Sequence, residues 1–168
     1  MQASVPWWGK MALKMLLVRL PVSRGTWKKL GVFNFGPMEQ PEYAYSVYMR
    51  HFTRYQRPRS GFVTLEVGPG HSAFSALISH AYGGSTTHLV DVADYIDRDV
   101  NIYHAMAEFL EKKRSPLPEV IAAKSFEEIA TVCSAQYMTN GLESLRSIPD
   151  RSVDFLFSHA VIQSVHRD

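Results

Sequence analysis

The chain has 168 residues, of which 46% are hydrophobic and 20% are charged, with a formal net charge of +2. This length suffices for one domain with a hydrophobic core, and the near-neutral charge gives no electrostatic reason to expect a nucleic-acid partner. The single cysteine, Cys133, excludes an internal disulfide and indicates a reducing compartment, so we expect a cytoplasmic protein.

Residues 1–60 contain no clear strand and are predicted to form an N-terminal helical extension or lid. Residues 7–20 are apolar, but they are too short and too charged to span a bilayer. We interpret them as a packing helix; weak contact of an amphipathic helix with a membrane surface is the alternative. A tyrosine-rich helix, whose tyrosines we interpret as packing residues, is predicted from Met38 to about Arg57. The break at residues 58–61 places the start of the main domain, 61–168, there.

From Phe62 onward, short apolar runs alternate with helical patterns, which is typical of a parallel α/β sheet. The predicted elements, in chain order, are a strand at 62–67, a helix at about 72–82, a strand at 87–92, helices at about 99–113 and 124–134, and strands at 135–139 and 152–158, with a helix opening at 160–165. The predicted fold class is therefore α/β, a Rossmann-like and mostly parallel sheet with flanking helices, preceded by the N-terminal helical segment. We predict Cys133 to be a small core residue.

The chain ends soon after the fourth strand, so we expect one strand edge and one helix face to lie uncovered. We interpret residues 61–168 as an incomplete domain, truncated after strand 4. The alternative is that a partner or a second copy completes the sheet, with self-association through the uncovered edge.

The first strand leads into the sequence EVGPGH at residues 66–71, and a helical pattern begins at Ser72. A strand, a tight turn and a helix N-terminus in this order form the cofactor site of Rossmann-like sheets. Glycine has no Cβ and lets the backbone come close to a ligand, while the helix offers free N–H groups and a positive dipole end. The alternatives, that Glu66 is a plain surface carboxylate and that the glycines only permit a turn, are less favoured.

Three motifs together resemble S-adenosyl-L-methionine-dependent methyltransferases with a Rossmann-like sheet: residues 66–70, Asp91 at the end of the second strand, and residues 149–158 around the fourth. The resemblance covers about Gly61 to the C-terminus, and only the first four of that family's seven strands are found. It implies S-adenosyl-L-methionine as cofactor and methyl transfer to a small-molecule or glycan-type acceptor. The implied cofactor-binding residues are Glu66, Gly68, Pro69, Gly70, His71, Asp91, Val92, Asn140, Gly141, Leu142 and Ser158. The candidate catalytic residue is His159, and no metal site is predicted.

The chemistry of these residues suits that ligand. S-adenosyl-L-methionine carries an ammonium and a sulfonium but no phosphate, so the Glu66 carboxylate is favourable near the turn, directly or through water. Asp91 can accept both ribose hydroxyls; alternatively Asp91 is a helix N-cap and Asp94 is the ribose ligand. By resemblance, residues 140–142 line the adenine, where the family often has an acid instead of Gly141, so contacts would come from backbone groups or the asparagine.

The residues that follow strand 4 include the candidate catalytic residue. Ser158 and His159 occupy the position that faces the reactive methyl in the family. His159 is the candidate base for an acceptor that must lose a proton, although a lone histidine after a strand is more often structural. Residues 141–162 look like bacterial small-molecule or glycan-pathway methyltransferases, but residues 163–165 read Gln-Ser-Val, where those proteins commonly have Glu-His-Val. This chain therefore has glutamine and serine in place of that acid and histidine.

Two other functions stay open. Residues 68–73 also satisfy the G-x-G-x-x-G/A pattern of an NAD(P)-binding oxidoreductase, although Glu66 would then lie close to a pyrophosphate of the same charge. The third possibility is a non-catalytic remnant that acts only as a binding or interaction module, which fits the early end of the chain.

Overall fold

The computed structural model describes residues 37–55 and 60–159. The strands are β1 (Val63–Val67), β2 (Thr86–Val90), β3 (Ala135–Met138) and β4 (Phe155–Phe157). The helices within these ranges are α1 (Pro41–Phe52), α2 (Phe74–Ala81), α3 (Val100–Lys112), α4 (Pro118–Ala122), α5 (Phe126–Val132) and α6 (Leu142–Ser147), and a 3-10 turn (Pro37–Glu39) precedes α1. The predicted helices at 7–20 and 160–165 lie outside the described residues.

The four strands form one parallel sheet in the order β3-β2-β1-β4. β1 pairs with β2 from Val63↔Thr86 to Val67↔Val90, and with β4 on its other side from Thr64↔Phe155 to Glu66↔Phe157. The predicted α/β class is therefore confirmed. The strand order reverses between β1 and β4, and in open parallel sheets a crevice for ligands lies beyond the carboxyl ends of the strands at this point.

The predicted strands are all present, but they are shorter than the sequence pattern indicates. β2 ends at Val90, so Asp91 and Val92 belong to the following loop. β4 begins at Phe155, and Asp154 just before it binds Val63 twice: its main-chain N–H donates to the Val63 carbonyl at 3.0 Å, and its carboxylate accepts the Val63 N–H at 2.9 Å. In this loop position, the Asp91 side chain binds the loop that follows β1.

The helices differ from the prediction mainly at prolines. α1 begins at Pro41 rather than Met38, since proline lacks an N–H and fits the first turn of a helix. Pro118, which the sequence suggests as part of a break after α3, also begins the short helix α4. The sequence pattern does not predict α4 or α6. The helix after β1 begins at Phe74 rather than Ser72, which lengthens the preceding glycine-containing loop.

An aromatic core joins α1 to the sheet. Tyr48 of α1 is 1% exposed, and its ring centroid lies 5.5 Å from that of Phe155 and 5.3 Å from that of Phe157. Phe52 packs on Phe62 in the same way, at 5.1 Å. The interpretation of this tyrosine as a packing residue is confirmed.

The predicted start of the main domain at residue 61 stays a prediction. Within the described residues, α1 belongs to the same compact unit as the sheet. The physical reason is that the aromatic side chains of α1 complete the core of the sheet. A role of α1 as a lid stays a prediction.

Cys133 follows α5 and is 1% exposed, which confirms the prediction that it is a core residue. Burial raises the pKa of its thiol to about 12, so the sulfur stays protonated and unreactive at neutral pH. Within residues 37–55 and 60–159, no helix has the length and apolar character needed to cross a membrane.

Candidate functional site

Three loops leave the carboxyl edge of the sheet side by side. They are the glycine loop (residues 68–73) after β1, the aspartate loop (91–99) after β2 and the short loop (139–141) after β3. Because the three strands are parallel neighbours, their loops meet at the edge where α/β proteins bind ligands.

Asp91 connects these loops through hydrogen bonds. Its carboxylate accepts the N–H of Gly70 at 3.2 Å and the N–H of Val92 at 2.7 Å. Its carbonyl oxygen accepts the N–H of Gly141 at 2.9 Å, and its own N–H donates to the carbonyl of Met138 at 2.9 Å. An ionised carboxylate has about four acceptor positions, so each oxygen keeps one for a ligand. Asp91 thus joins the three loops, with its carboxylate bound to the glycine and aspartate loops and its carbonyl bound to the short loop.

The backbone of the glycine loop passes through the left-handed region at Gly68 (φ 77°) and Gly70 (φ 65°). Side chains rarely tolerate this conformation, which explains glycine at both positions. A Cβ added to Gly70 would meet no heavy atom within 4 Å. The backbone of Gly70 therefore faces open space beside the Asp91 carboxylate.

Gly141 has φ 52° and ψ −120°, the geometry of the first central residue of a type II′ turn. The N–H of Glu143 closes this turn on the carbonyl of Asn140 at 3.2 Å. A Cβ added to Gly141 would lie 3.4 Å from Cγ1 of Val92. This is an ordinary contact distance, so the positive φ, and not lack of space, favours glycine at this position.

Two apolar side chains border the same region. Val92 is 73% exposed and Leu142 is 59% exposed, which is unusual for large hydrophobic residues in the described part of the chain. Val92 follows Asp91 directly, and Leu142 follows Gly141. Neighbouring exposed apolar groups at the rim of a polar site are typical of a binding surface.

Glu66 is buried, which rules out the alternative of a plain surface carboxylate. It is 3% exposed and shares the helix-facing side of β1 with Thr64, because alternate residues of a strand point the same way. Ser75 of α2 donates its hydroxyl to Oε2 of Glu66 and is the sole hydrogen-bond partner of this carboxyl group within the described residues. Burial raises the pKa of Glu66 to about 7, and the negative charge of Asp91 adds to the rise.

A small cavity of about 10 Å³ borders Glu66 on the side of the 3-10 turn. Its walls include Met38, Ser72 and Phe157. This is about the space that one water molecule needs. Neither Gly70 nor Asp91 lines this cavity, and a contact of Glu66 with the donor through water stays a prediction.

The end of β4 lies on the other side of the crevice. Ser158 donates its hydroxyl to the carbonyl oxygen of Val67 at 2.9 Å, which ties the ends of β4 and β1 together. The ring of His159 meets the ring of Tyr43 of α1 edge-on, with centroids 6.1 Å apart. Tyr43 therefore contacts the candidate catalytic residue, His159. No local pattern in the sequence indicates this contact.

The other predicted site residues lie in the same loops. The carbonyl of His71 accepts the N–H of Asp97 at 2.9 Å, and its ring centroid lies 6.5 Å from that of Tyr95. Pro69 is buried between the two glycines, whereas Asn140 is exposed. The main-chain N–H of Asn140 donates to the hydroxyl of Ser144 at 3.0 Å.

Sequence reasoning missed two residues that shape the site, Ser75 and Tyr137. Ser75 lies in the first turn of α2, directly after the glycine loop. A serine among the apolar residues of this buried helix could have indicated a buried polar partner. Tyr137 of β3 binds the aspartate loop through its hydroxyl. No sequence signal reveals this contact, because 42 and 44 residues separate the partners.

Comparisons of the chain with protein-family models, with curated proteins and with solved structures find no match. A functional conclusion therefore depends on the geometry and chemistry of the site.

Proposed function

We propose that the chain is an S-adenosyl-L-methionine-dependent methyltransferase whose donor site lies at the carboxyl edge of β1, β2 and β3. The observation that carries the proposal is the Asp91 carboxylate, held between the glycine loop and two exposed apolar side chains. The proposed acceptor is a small molecule or a glycan, and the proposed compartment is the cytoplasm.

The site has a matching group for each part of the donor. The exposed side chains of Val92 and Leu142 suit the two faces of an adenine ring. The free acceptor positions of Asp91 suit the two ribose hydroxyls. The open space at Gly70 suits the amino-acid portion, and the buried Glu66 suits its ammonium group.

Charge favours this donor over a dinucleotide. The Asp91 carboxylate lies at the glycine loop, where a pyrophosphate would meet a charge of its own sign. The N–H of Gly70, which a phosphate oxygen would need, already donates to Asp91. A cationic ligand meets neither obstacle.

The chain has to align the reactants and exclude water. S-adenosyl-L-methionine, when bound, supplies a methyl carbon activated by its sulfonium. His159, at the end of β4, would accept the proton that a hydroxyl or amine acceptor loses. Its ring packs edge-on against Tyr43 of α1.

A thermal melt with added ligands tests the proposal. We expect S-adenosylhomocysteine at a hundred times its Kd to add about 2.7 kcal/mol of stability and to raise Tm by about 5–10 °C for a chain of this size. NAD⁺ should cause no shift. A shift with NAD⁺ alone would identify a dinucleotide site. No shift with either ligand would contradict the proposal and favour an interaction module, whose self-association sedimentation would detect.

A pair of glycine variants tests the location of the ligand. Gly70 (φ 65°) and Gly61 (φ 89°) both have left-handed backbone and open space at the Cβ position, so Gly70→Ala and Gly61→Ala should each cost about 1 kcal/mol of stability. Only Gly70→Ala should weaken S-adenosylhomocysteine binding, by about tenfold in calorimetric titration. Equal affinity in the two variants would show that the ligand does not use this space.

A further inference from the structure

The aspartate loop has no regular secondary structure, and its shape depends on hydrogen bonds from other elements. The most notable come from one side chain. The hydroxyl of Tyr137 accepts the N–H of Tyr95 at 2.9 Å and donates to the carbonyl of Ala93 at 3.0 Å. One phenol hydroxyl thus binds two main-chain groups of the aspartate loop, one as an acceptor and one as a donor.

The far end of the loop is fixed separately. Tyr103 of α3 is fully buried and donates its hydroxyl to the carbonyl of Asp97 at 2.6 Å. The N–H of Asp97 donates to the carbonyl of His71 in the glycine loop at 2.9 Å. Tyr103 thus fixes the loop at Asp97, and Tyr137 fixes the part of the loop nearest to Asp91.

The chemistry of Tyr137 suits a permanent contact. Burial raises the pKa of its phenol, and the negative charges of Asp94 and Asp91 add to the rise. The hydroxyl therefore stays protonated at neutral pH, and it can donate and accept at once.

We propose that Tyr137 is a positioning residue for the donor site, holding Ala93 and Tyr95 so that Asp91 and Val92 keep their ligand-binding placement. This inference rests on the proposed function. Without the hydroxyl, the loop would sample other shapes, and the fraction of molecules with a competent site would fall. The apparent Kd rises in proportion to that loss.

The test compares Tyr137→Phe with Tyr45→Phe. Tyr45 is a matched control, since its hydroxyl also makes a part-buried hydrogen bond, to Tyr82 at 2.6 Å, but away from the three loops. Both variants are titrated with S-adenosylhomocysteine at a temperature where melting curves show them fully folded. We expect about a tenfold weaker Kd for Tyr137→Phe, as for the loss of two hydrogen bonds, and an unchanged Kd for Tyr45→Phe.

Hydrogen exchange gives a second readout that does not need the ligand. The amide of Tyr95 should exchange faster in Tyr137→Phe than in the wild type, while amides of β1 and β2 exchange alike. A wild-type chain that fails to bind S-adenosylhomocysteine would reject the proposed function. If the wild type binds and Tyr137→Phe binds equally well, even with a lower Tm, Tyr137 is merely structural and the inference is wrong.

Discussion

Glu66→Gln is expected to raise the free energy of unfolding at pH 8 by up to about 3 kcal/mol. Burial raises the pKa of Glu66 from 4.5 to about 7, and a rise of this size corresponds to about 3 kcal/mol. At pH 8 the wild type must keep an ionised carboxylate in a buried position, where Ser75 is its sole described hydrogen-bond partner. Glutamine is neutral and can still accept the Ser75 hydroxyl, so it removes this cost.

The sign of the pH dependence follows from the two pKa values. Below about pH 4.5 the carboxyl is protonated in both the folded and the unfolded chain, so it adds no pH dependence. Between pH 4.5 and about 7 the unfolded chain releases its proton while the folded chain keeps it, so stability falls as pH rises. Above about pH 7 both states are ionised and the loss is complete.

Urea unfolding of the wild type and Glu66→Gln from pH 4 to 8 measures this effect. The difference between the two curves isolates Glu66, because the other titrating groups are common to both proteins. Glu143→Gln is the control: its carboxylate is exposed and pairs with Arg146 at the surface, so its loss should change stability by less than about 1 kcal/mol. A constant difference between wild type and Glu66→Gln across this range would contradict the prediction.

The same substitution should act in the opposite direction on ligand binding. If Glu66 accepts the ammonium group of the donor, Glu66→Gln raises Tm in the free protein and weakens S-adenosylhomocysteine binding. A residue that lowers stability while serving a ligand is a common trade-off at functional sites. Higher Tm with unchanged affinity would mean that the buried carboxylate does not meet the ligand.

The sequence predicts the order of elements around β1 because the relevant signals are local. Residues 62–82 contain an apolar run, two glycines that indicate a turn, and a helical period. The structure has a strand, a loop and a helix there, in this order. Asp91 is predictable in the same way, as the first acid after an apolar run. The structure moves it only from the strand into the loop.

The orientation of Glu66 and the contacts of Tyr137 are harder to predict, since they depend on packing between distant segments. The period of two along β1 places Glu66 on the side of Thr64, but only the sheet order shows that α2 covers this side. The two tyrosine contacts of the aspartate loop need α3 and β3 to be in place. The short helix α4 is not predicted because Pro118 follows Pro116 and serves equally as a helix breaker and as a first-turn residue.

Asp91→Ala is expected to weaken S-adenosylhomocysteine binding by at least about a hundredfold, because two charge-assisted hydrogen bonds to the ribose are lost. Asp94→Ala is the control and tests the alternative ribose ligand. Asp94 is half exposed and pairs with Arg98 at 2.9 Å, so its removal should leave affinity within about threefold of wild type. If Asp94→Ala loses binding and Asp91→Ala keeps it, the ribose ligand is Asp94.

Asp91→Ala also removes the acceptor for Gly70 and Val92, and Asp91→Glu separates these two roles. The longer side chain keeps a carboxylate for the ribose but displaces it from the two backbone N–H groups. We expect Asp91→Glu to bind with an affinity between those of the wild type and Asp91→Ala. Equal losses in the two variants would mean that Asp91 acts mainly by holding the glycine loop, and that the ribose hydroxyls depend on backbone groups instead.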